Sequence, residues 1–169
     1  MNQSNSTIDQ QQAFLKASAL CSRREYCSFD IQQKLKNWGV DTDTISIVLQ
    51  RLVDEQFIND LRYATAYVRD KARLQHWGKQ KISSYLHQKR ILPEIIQLAL
   101  TELKEGTFDE AALKEAQKKL KSFKAYKPYE QKMRIIRFLV SRGYDYSLSK
   151  HIAEQILNTN DTDSDEVSE

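Results

Sequence analysis

Two stretches of the chain match at a fixed offset of 51 residues, and the match runs through a pair of helices. Ile31-x-x-x-Leu35 reappears as Ile82-x-x-x-Leu86; beyond it Val40 falls on Ile91, Ile45 on Ile96, Leu49 on Leu100 and Leu52 on Leu103. A third copy, Ile135-x-x-x-Leu139-x-x-x-Gly143-Tyr144-Asp145, echoes Ile31-x-x-x-Leu35-x-x-x-Gly39-Val40-Asp41. Repetition on this scale describes an array of similar small bundles, which presents an extended contact surface more readily than a single catalytic pocket. Units of about 50 residues bury only modest cores, so neighbours share stability.

The apolar spacing predicts an all-α fold of three tandem three-helix repeats forming an elongated array. Four Gly and two Pro among 169 residues fit helices better than hairpins. A polar leader covers residues 1–12, repeat one residues 13–58, repeat two residues 59–106, repeat three residues 107–157, and an acidic tail, expected to be disordered, residues 158–169.

In repeat one, Phe14, Ala17, Leu20 and Cys21 form the first helical stripe; Ile31, Leu35 and Trp38 form the second; Ile45, Val48, Leu49, Leu52 and Val53 form the third. Gly39 is suited to end the second helix, and Asp41 or Thr42 to cap the third. Repeat two opens at the Asn59-Asp60 cap with Leu61, Tyr63, Ala64, Tyr67 and Val68, breaks at Trp77-Gly78, resumes over 79–90 with Ile82 and Leu86, and uses Pro93 in the first turn of a helix bearing Ile96, Ala99, Leu100 and Leu103. In repeat three, Thr107-x-x-Glu110 has capping-box spacing, Ala112, Ala116 and Leu120 line the first helix, and 124–129 connects to the second. There Met133, Ile136, Leu139 and Val140 form the inner stripe with Ile135 and Phe138 flanking; Leu148, Ile152 and Ile156 mark the last helix.

The net charge of +3 hides an asymmetry. Residues 161–169 carry −5 and no basic residue, so the remainder carries +8. Between Arg62 and Arg90 the basic residues Arg62, Arg69, Lys71, Arg73, Lys79, Lys81, Lys89 and Arg90 meet one acid, Asp70. A second run joins Lys114, Lys118, Lys119, Lys121, Lys124, Lys127, Lys132, Arg134 and Arg137, interleaved with Phe123, Tyr126 and Tyr129. At this density the cations suit phosphates or a carboxylate-rich protein surface, and the sequence leaves both targets open. The candidate contact surface takes Arg62, Arg69, Arg73, Lys79, Lys81, Lys89 and Arg90 from the first run, Lys118, Lys119, Arg134 and Arg137 from the second, and Arg142. The tail would shield that surface, or serve solubility alone.

Catalytic chemistry finds no frame. His76, His87 and His151 lack ligand-spaced companions, Cys21 and Cys27 have neither CxxC nor metal spacing and read as reduced structural thiols, and the glycines build no phosphate cradle. The expectation is a non-enzyme without cofactor or metal. No run approaches the roughly 20 apolar residues that span a bilayer, and residues 1–12 lack a signal core, so no membrane partner and a cytoplasmic location are expected.

Four ordered blocks resemble the RecX family of bacterial regulators of the RecA recombinase: Ala19-Leu20-Cys21-Ser22-Arg23-Arg24-Glu25-Tyr26 with Asp30-Ile31-x-x-Lys34-Leu35; Arg51-Leu52 through Phe57-Ile58-Asn59-Asp60-x-Arg62-Tyr63-Ala64-x-x-Tyr67-Val68; Gly78-x-x-Lys81-Ile82-x-x-x-Leu86-x-x-Lys89; and Arg137-Phe138-Leu139-x-x-Arg142-Gly143-Tyr144. Arg90 departs where that pattern has Gly, and Cys27 where it has a capping Ser. The resemblance implies a curved array, expected to be monomeric, that lodges in the groove of the RecA filament on single-stranded DNA. It would limit filament growth and lower ATP hydrolysis, strand exchange and co-protease activity. The alternative is a helix-turn-helix-like protein that binds single- or double-stranded DNA without RecA; a scaffold for another acidic partner is a third class, and an enzyme ranks last.

Overall fold

A computed structural model describes residues 9–162, with side chains placed through residue 158. The remaining parts of the leader and acidic tail lie outside the described residues. Among those described, nine α-helices follow one another: α1 (Gln10–Cys21), α2 (Ser28–Asn37), α3 (Thr42–Asp54), α4 (Asp60–Arg73), α5 (Lys79–Gln88), α6 (Pro93–Thr101), α7 (Thr107–Leu120), α8 (Pro128–Ser141) and α9 (Tyr146–Thr162), with a 3-10 turn at Lys121–Phe123. The helix α1 starts three residues ahead of Ala13, and α9 runs past Leu157 into the acidic segment.

Two compact units divide the chain, Met1–Ala66 with Leu86–Leu98, and Tyr67–Tyr85 with Ala99–Glu169, so the boundary falls inside α4, α5 and α6. The first unit is built around Ala13, Phe14, Ala17, Tyr26, Ile31, Leu35, Val40, Ile45, Val48, Leu52 and Ile58. Buried residues of the second include Val68, Ala72, Ile82, Ala112, Ala116, Ile135, Ile136, Leu139, Tyr144, Ile152 and Ile156. Repeat-equivalent positions share this fate: Ile31, Ile82 and Ile135 are fully buried, as are Leu35, Leu86 and Leu139.

The same hydrogen bonds end the inner helix of each repeat. Val40, Ile91 and Tyr144 each donate the backbone N–H to the carbonyl five residues back, at Leu35, Leu86 and Leu139 respectively, over 3.1–3.2 Å. Gly39, Arg90 and Gly143 donate to Lys36, His87 and Val140, and all three adopt positive φ, at 80°, 56° and 92°. This double bond pattern satisfies carbonyls that a helix end leaves open. It also turns Val40, Ile91 and Tyr144 back into the interior. Arg90, where the sequence lacks the expected Gly, therefore takes up the left-handed conformation itself.

Caps follow the sequence in part. Asp41 accepts from Thr44 N–H at 2.9 Å, Asn59 from Arg62 N–H at 2.9 Å and Asp145 from Leu148 N–H at 2.9 Å. Cys27 precedes α2 but makes no side-chain cap; Asp60 Oδ1 instead accepts from Ser28 N–H at 2.8 Å. The Thr107 capping box is not formed. Gly106 occupies the cap in a left-handed conformation, and the Thr107 hydroxyl, already within the helix, donates backwards to the Lys104 carbonyl at 2.7 Å. In α8 the inner stripe is rotated from its expected phase: Ile135 is fully buried and Val140 is 42% exposed, because α8 packs against both α7 and α9. Val53 is likewise 38% exposed.

Within the second unit, two glycines bring backbone against backbone. Gly78 N–H donates to the Arg142 carbonyl at 2.8 Å and Gln80 N–H to the Gly143 carbonyl at 3.0 Å, so the α8–α9 turn fills open donors at the start of α5. A Cβ on Gly78 would overlap the Gly143 carbonyl group, and one on Gly143 would overlap Lys81. Around this contact Arg142 Nη2 donates to the Gln75 carbonyl at 2.7 Å and the Tyr144 hydroxyl to the His76 carbonyl at 2.9 Å.

Arg90→Gly should raise stability by about 1 kcal/mol by removing the side-chain penalty at positive φ, and Gly39→Ala should lower it by a similar amount. Urea midpoints measure both; a fall for Arg90→Gly would mean that its 5.1 Å contact with the Phe29 ring outweighs the backbone relief. Gly78→Ala is expected to cost about 1–3 kcal/mol or more through overpacking against Gly143. An unchanged thermal midpoint for that variant would refute the close-contact reading.

Candidate partner-binding surface

Helix spacing sets which cations face outwards in α4. Ala64, Val68 and Ala72, four residues apart, are fully buried, which turns Arg69 and Arg73 to the exposed side one turn from each other. Neither joins an ion pair among the described residues. In the same unit, the Trp77 ring meets two ammonium groups, Lys81 at 4.2 Å and Lys71 at 5.0 Å from its centroid. Lys71 also lies 5.2 Å from the Tyr67 ring, which stacks on Tyr85 at 4.5 Å and 4°. Burial, then Tyr85, pushes the Tyr67 hydroxyl pKa upwards, so it stays protonated. Lys79 is exposed and leans over Phe108 at 5.3 Å.

The second basic run organises around rings as well. Arg134 lies 3.7 Å from the Tyr126 centroid and 5.8 Å from that of Phe123, while Lys119 lies 5.4 Å from Phe123 and 5.6 Å from Phe138. Phe123 and Tyr126 meet edge to face at 6.1 Å. Lys118 and Arg137 are exposed. Phe123 and Tyr126 thus support cations, and Tyr129, 73% exposed, is the most open of the three interleaved rings.

Four other sequence-selected residues are placed differently. In the first unit, Arg62 Nε donates to Glu25 at 2.6 Å, Lys89 Nζ to Asp30 at 2.6 Å, and Arg90 closes α5. In the second, Arg142 Nη2 reaches Glu115 Oε2 at 3.1 Å besides the Gln75 carbonyl, and its Nε is buried without a partner. Arg142 therefore works inside the fold, and a role at the surface would have to break that network. His76, which the sequence leaves without a companion, meets Glu115 Oε1 through Nδ1 at 2.9 Å.

A cleft of about 240 Å³ is lined by Lys79, Gln80, Phe108, Asp109, Gly143, Tyr144, Asp145 and Leu148, but its Asp145 carboxylate is engaged in capping α9. Among the described residues no three His, Cys, Asp or Glu side chains converge as metal ligands, and no helix is long and apolar enough to cross a membrane. Burial raises the Cys27 thiol to about 12 and also raises Cys21, which keeps both in the unreactive thiol form.

Burial pushes the Glu115 carboxyl up, yet the His76 hydrogen bond and the Arg142 charge outweigh it and hold the pKa below the ordinary value. A carboxylate whose pKa is lower folded than unfolded stabilises the protein above the unfolded pKa, and loses that contribution as pH falls through the folded one. Glu115→Gln should therefore flatten the acid limb of the stability curve below about pH 4. Parallel stability–pH curves for the two proteins in that range would sink this assignment.

Models of the RecX proteins match the chain three times: the first three-helix domain over residues 13–52, the second over 59–100 and the third over 108–152. The regulatory protein RecX of Vibrio campbellii is 34% identical over 130 residues, covering 77% of this chain and 82% of its own length. That of Clostridium botulinum is 32% identical over 130 residues, and the matched region spans 76% of this chain but 60% of the relative. A crystal structure of a regulatory protein RecX matches with a TM-score of 0.80 at 26% identity, covering 86% of this chain and 71% of that one. The crystal structure of RecX from Lactobacillus salivarius shares the fold, with a TM-score of 0.81 at 23% identity over 89% and 97% of the two chains. With three matched three-helix domains in order and helices throughout its described residues, the chain belongs to the RecX family of regulatory proteins.

Proposed function

We propose that this protein regulates the RecA recombinase, binding its filament on single-stranded DNA and lowering ATP hydrolysis, strand exchange and co-protease activity during DNA repair in the cytoplasm. Membership of a family whose relatives are named regulatory proteins supports this reading. The observation that carries it is the set of outward cations on helices, Arg69 and Arg73 on α4, Lys118 on α7 and Arg137 on α8. Cations so placed can meet acidic side chains of a protein filament or the phosphates of the strand inside it. Such binding needs no reaction of its own, and the protein acts as a modulator rather than an enzyme.

The central test titrates the protein against its matching RecA on single-stranded DNA while ATPase rate and filament length are followed. No change in either would end the proposal. The pairing of cations with Trp77 and Tyr126 favours a second reading, direct DNA binding, which predicts salt-sensitive affinity for DNA without RecA. Reversing charge in Arg69→Glu, Arg73→Glu and Lys81→Glu together should weaken inhibition of RecA by about tenfold or more. Helicity by circular dichroism should stay unchanged; full inhibition by this variant would move the contact to Lys118, Lys119, Arg134 and Arg137.

A further inference from the structure

Repeat one holds cations that its own acids do not neutralise. From Lys16 to Trp38 five bases, Lys16, Arg23, Arg24, Lys34 and Lys36, accompany two acids, Glu25 and Asp30. Each acid stands where a base of the same segment could take it: Glu25 follows Arg24, and Asp30 lies one turn before Lys34 on α2. Both are engaged from further along the first unit instead. Arg62 Nε donates to Glu25 at 2.6 Å, and Lys89 Nζ to Asp30 at 2.6 Å. Arg23, Arg24, Lys34 and Lys36 join no ion pair among the described residues.

Two of these cations converge on one ring. The Arg24 guanidinium, from the connection ahead of α2, lies 4.5 Å from the Tyr26 centroid, and the Lys34 ammonium, from α2 itself, lies 5.5 Å from it. The two charges are no further apart than those distances laid end to end, so they repel each other within a Debye length, about 10 Å at 0.1 M salt. The face of the ring offsets part of that repulsion. An anion held by both relieves the rest.

The rings of this repeat offer no open face to a nucleobase. Tyr26 is 7% exposed, and Trp38 packs against the core of the first unit and carries Lys16 at 4.1 Å. A single strand of nucleic acid draws affinity from stacking on open rings and from a cationic track along its backbone. A compact pair of cations on a covered ring suits carboxylates better, and the Arg24 fork can donate two parallel N–H bonds to one of them.

We infer that Arg24 and Lys34, with exposed Arg23 and Lys36 next to them in the chain, form a binding surface for a carboxylate-rich protein segment. Arg62 and Lys89 keep it open by drawing Glu25 and Asp30 away from it. The surface uses none of the outward cations on which the filament reading rests.

The test titrates the full chain with a short oligoglutamate peptide at low salt, with amide resonances of residues 23–36 and affinity as separate readouts. Those resonances should shift, and Arg24→Gln with Lys34→Gln should weaken binding about threefold or more. Lys104→Gln with Lys150→Gln, which removes two exposed cations of the second unit, should leave the affinity unchanged. Arg62→Gln should also weaken binding by freeing Glu25 for Arg24, and adding Glu25→Gln to that variant should restore it. Unmoved resonances in the unsubstituted protein, or an equal loss in the lysine control, would overturn the surface. Absence of rescue by Glu25→Gln would overturn the part given to Arg62. Tighter binding of an oligodeoxythymidylate, lost with the same two substitutions, would overturn the carboxylate partner in favour of phosphate. Shifted resonances in a protein without effect on RecA ATPase would leave this inference standing while the filament reading falls.

Discussion

Three chain reversals, at residues 39, 90 and 143, hold the register of everything around them. Each places a left-handed residue just past an inner helix and sends the next residue's N–H back to a buried leucine's carbonyl, so that the helix end is satisfied and the chain re-enters the core in one step. The geometry is common to all three, but its surroundings are not. A Cβ at Gly39 would meet nothing within 4 Å, Arg90 carries a whole side chain there, and Gly143 lies against Lys81 and the Gly78 backbone. Gly39 thus answers to a dihedral angle alone, whereas Gly143 answers to a dihedral angle and to space.

That recurrence made the fold legible. Apolar residues at helical spacing, repeated at a fixed offset, mark faces that must be buried wherever the helices lie, and Ile31, Ile82 and Ile135 with their leucines are buried accordingly. What one helix's periodicity leaves open is how wide its buried face is. In α8, contacts with two neighbouring helices bring Ile135 inwards and leave Val140 partly exposed. The capping box at Thr107 failed for a related reason: Thr107 has the right spacing, but a left-handed Gly106 makes it the first helical residue and its hydroxyl closes a turn instead.

The candidate surface was legible as charge and illegible as partnership. Runs of Lys and Arg can be counted in a sequence, yet the acids that engage them lie far away along the chain: Glu25 for Arg62, Asp30 for Lys89, Glu115 for Arg142. Residue type does not distinguish Arg142 from Arg137 five residues earlier, although one is tied into the fold and the other faces out. The nearest sequence signal was Gly143 beside it, a residue suited to end α8 in the left-handed conformation. His76 likewise found its carboxylate only through folding.

The rings beneath the cations bear on a different quantity, conformational freedom. A long basic side chain in open solvent samples many rotamers and surrenders them when an anion arrives, a loss of about 0.5–1.5 kcal/mol for each side chain immobilised. Lys81 against Trp77 and Arg134 against Tyr126 have already given up part of that freedom on folding. A surface built this way spends less of its attraction on ordering itself when an anion arrives.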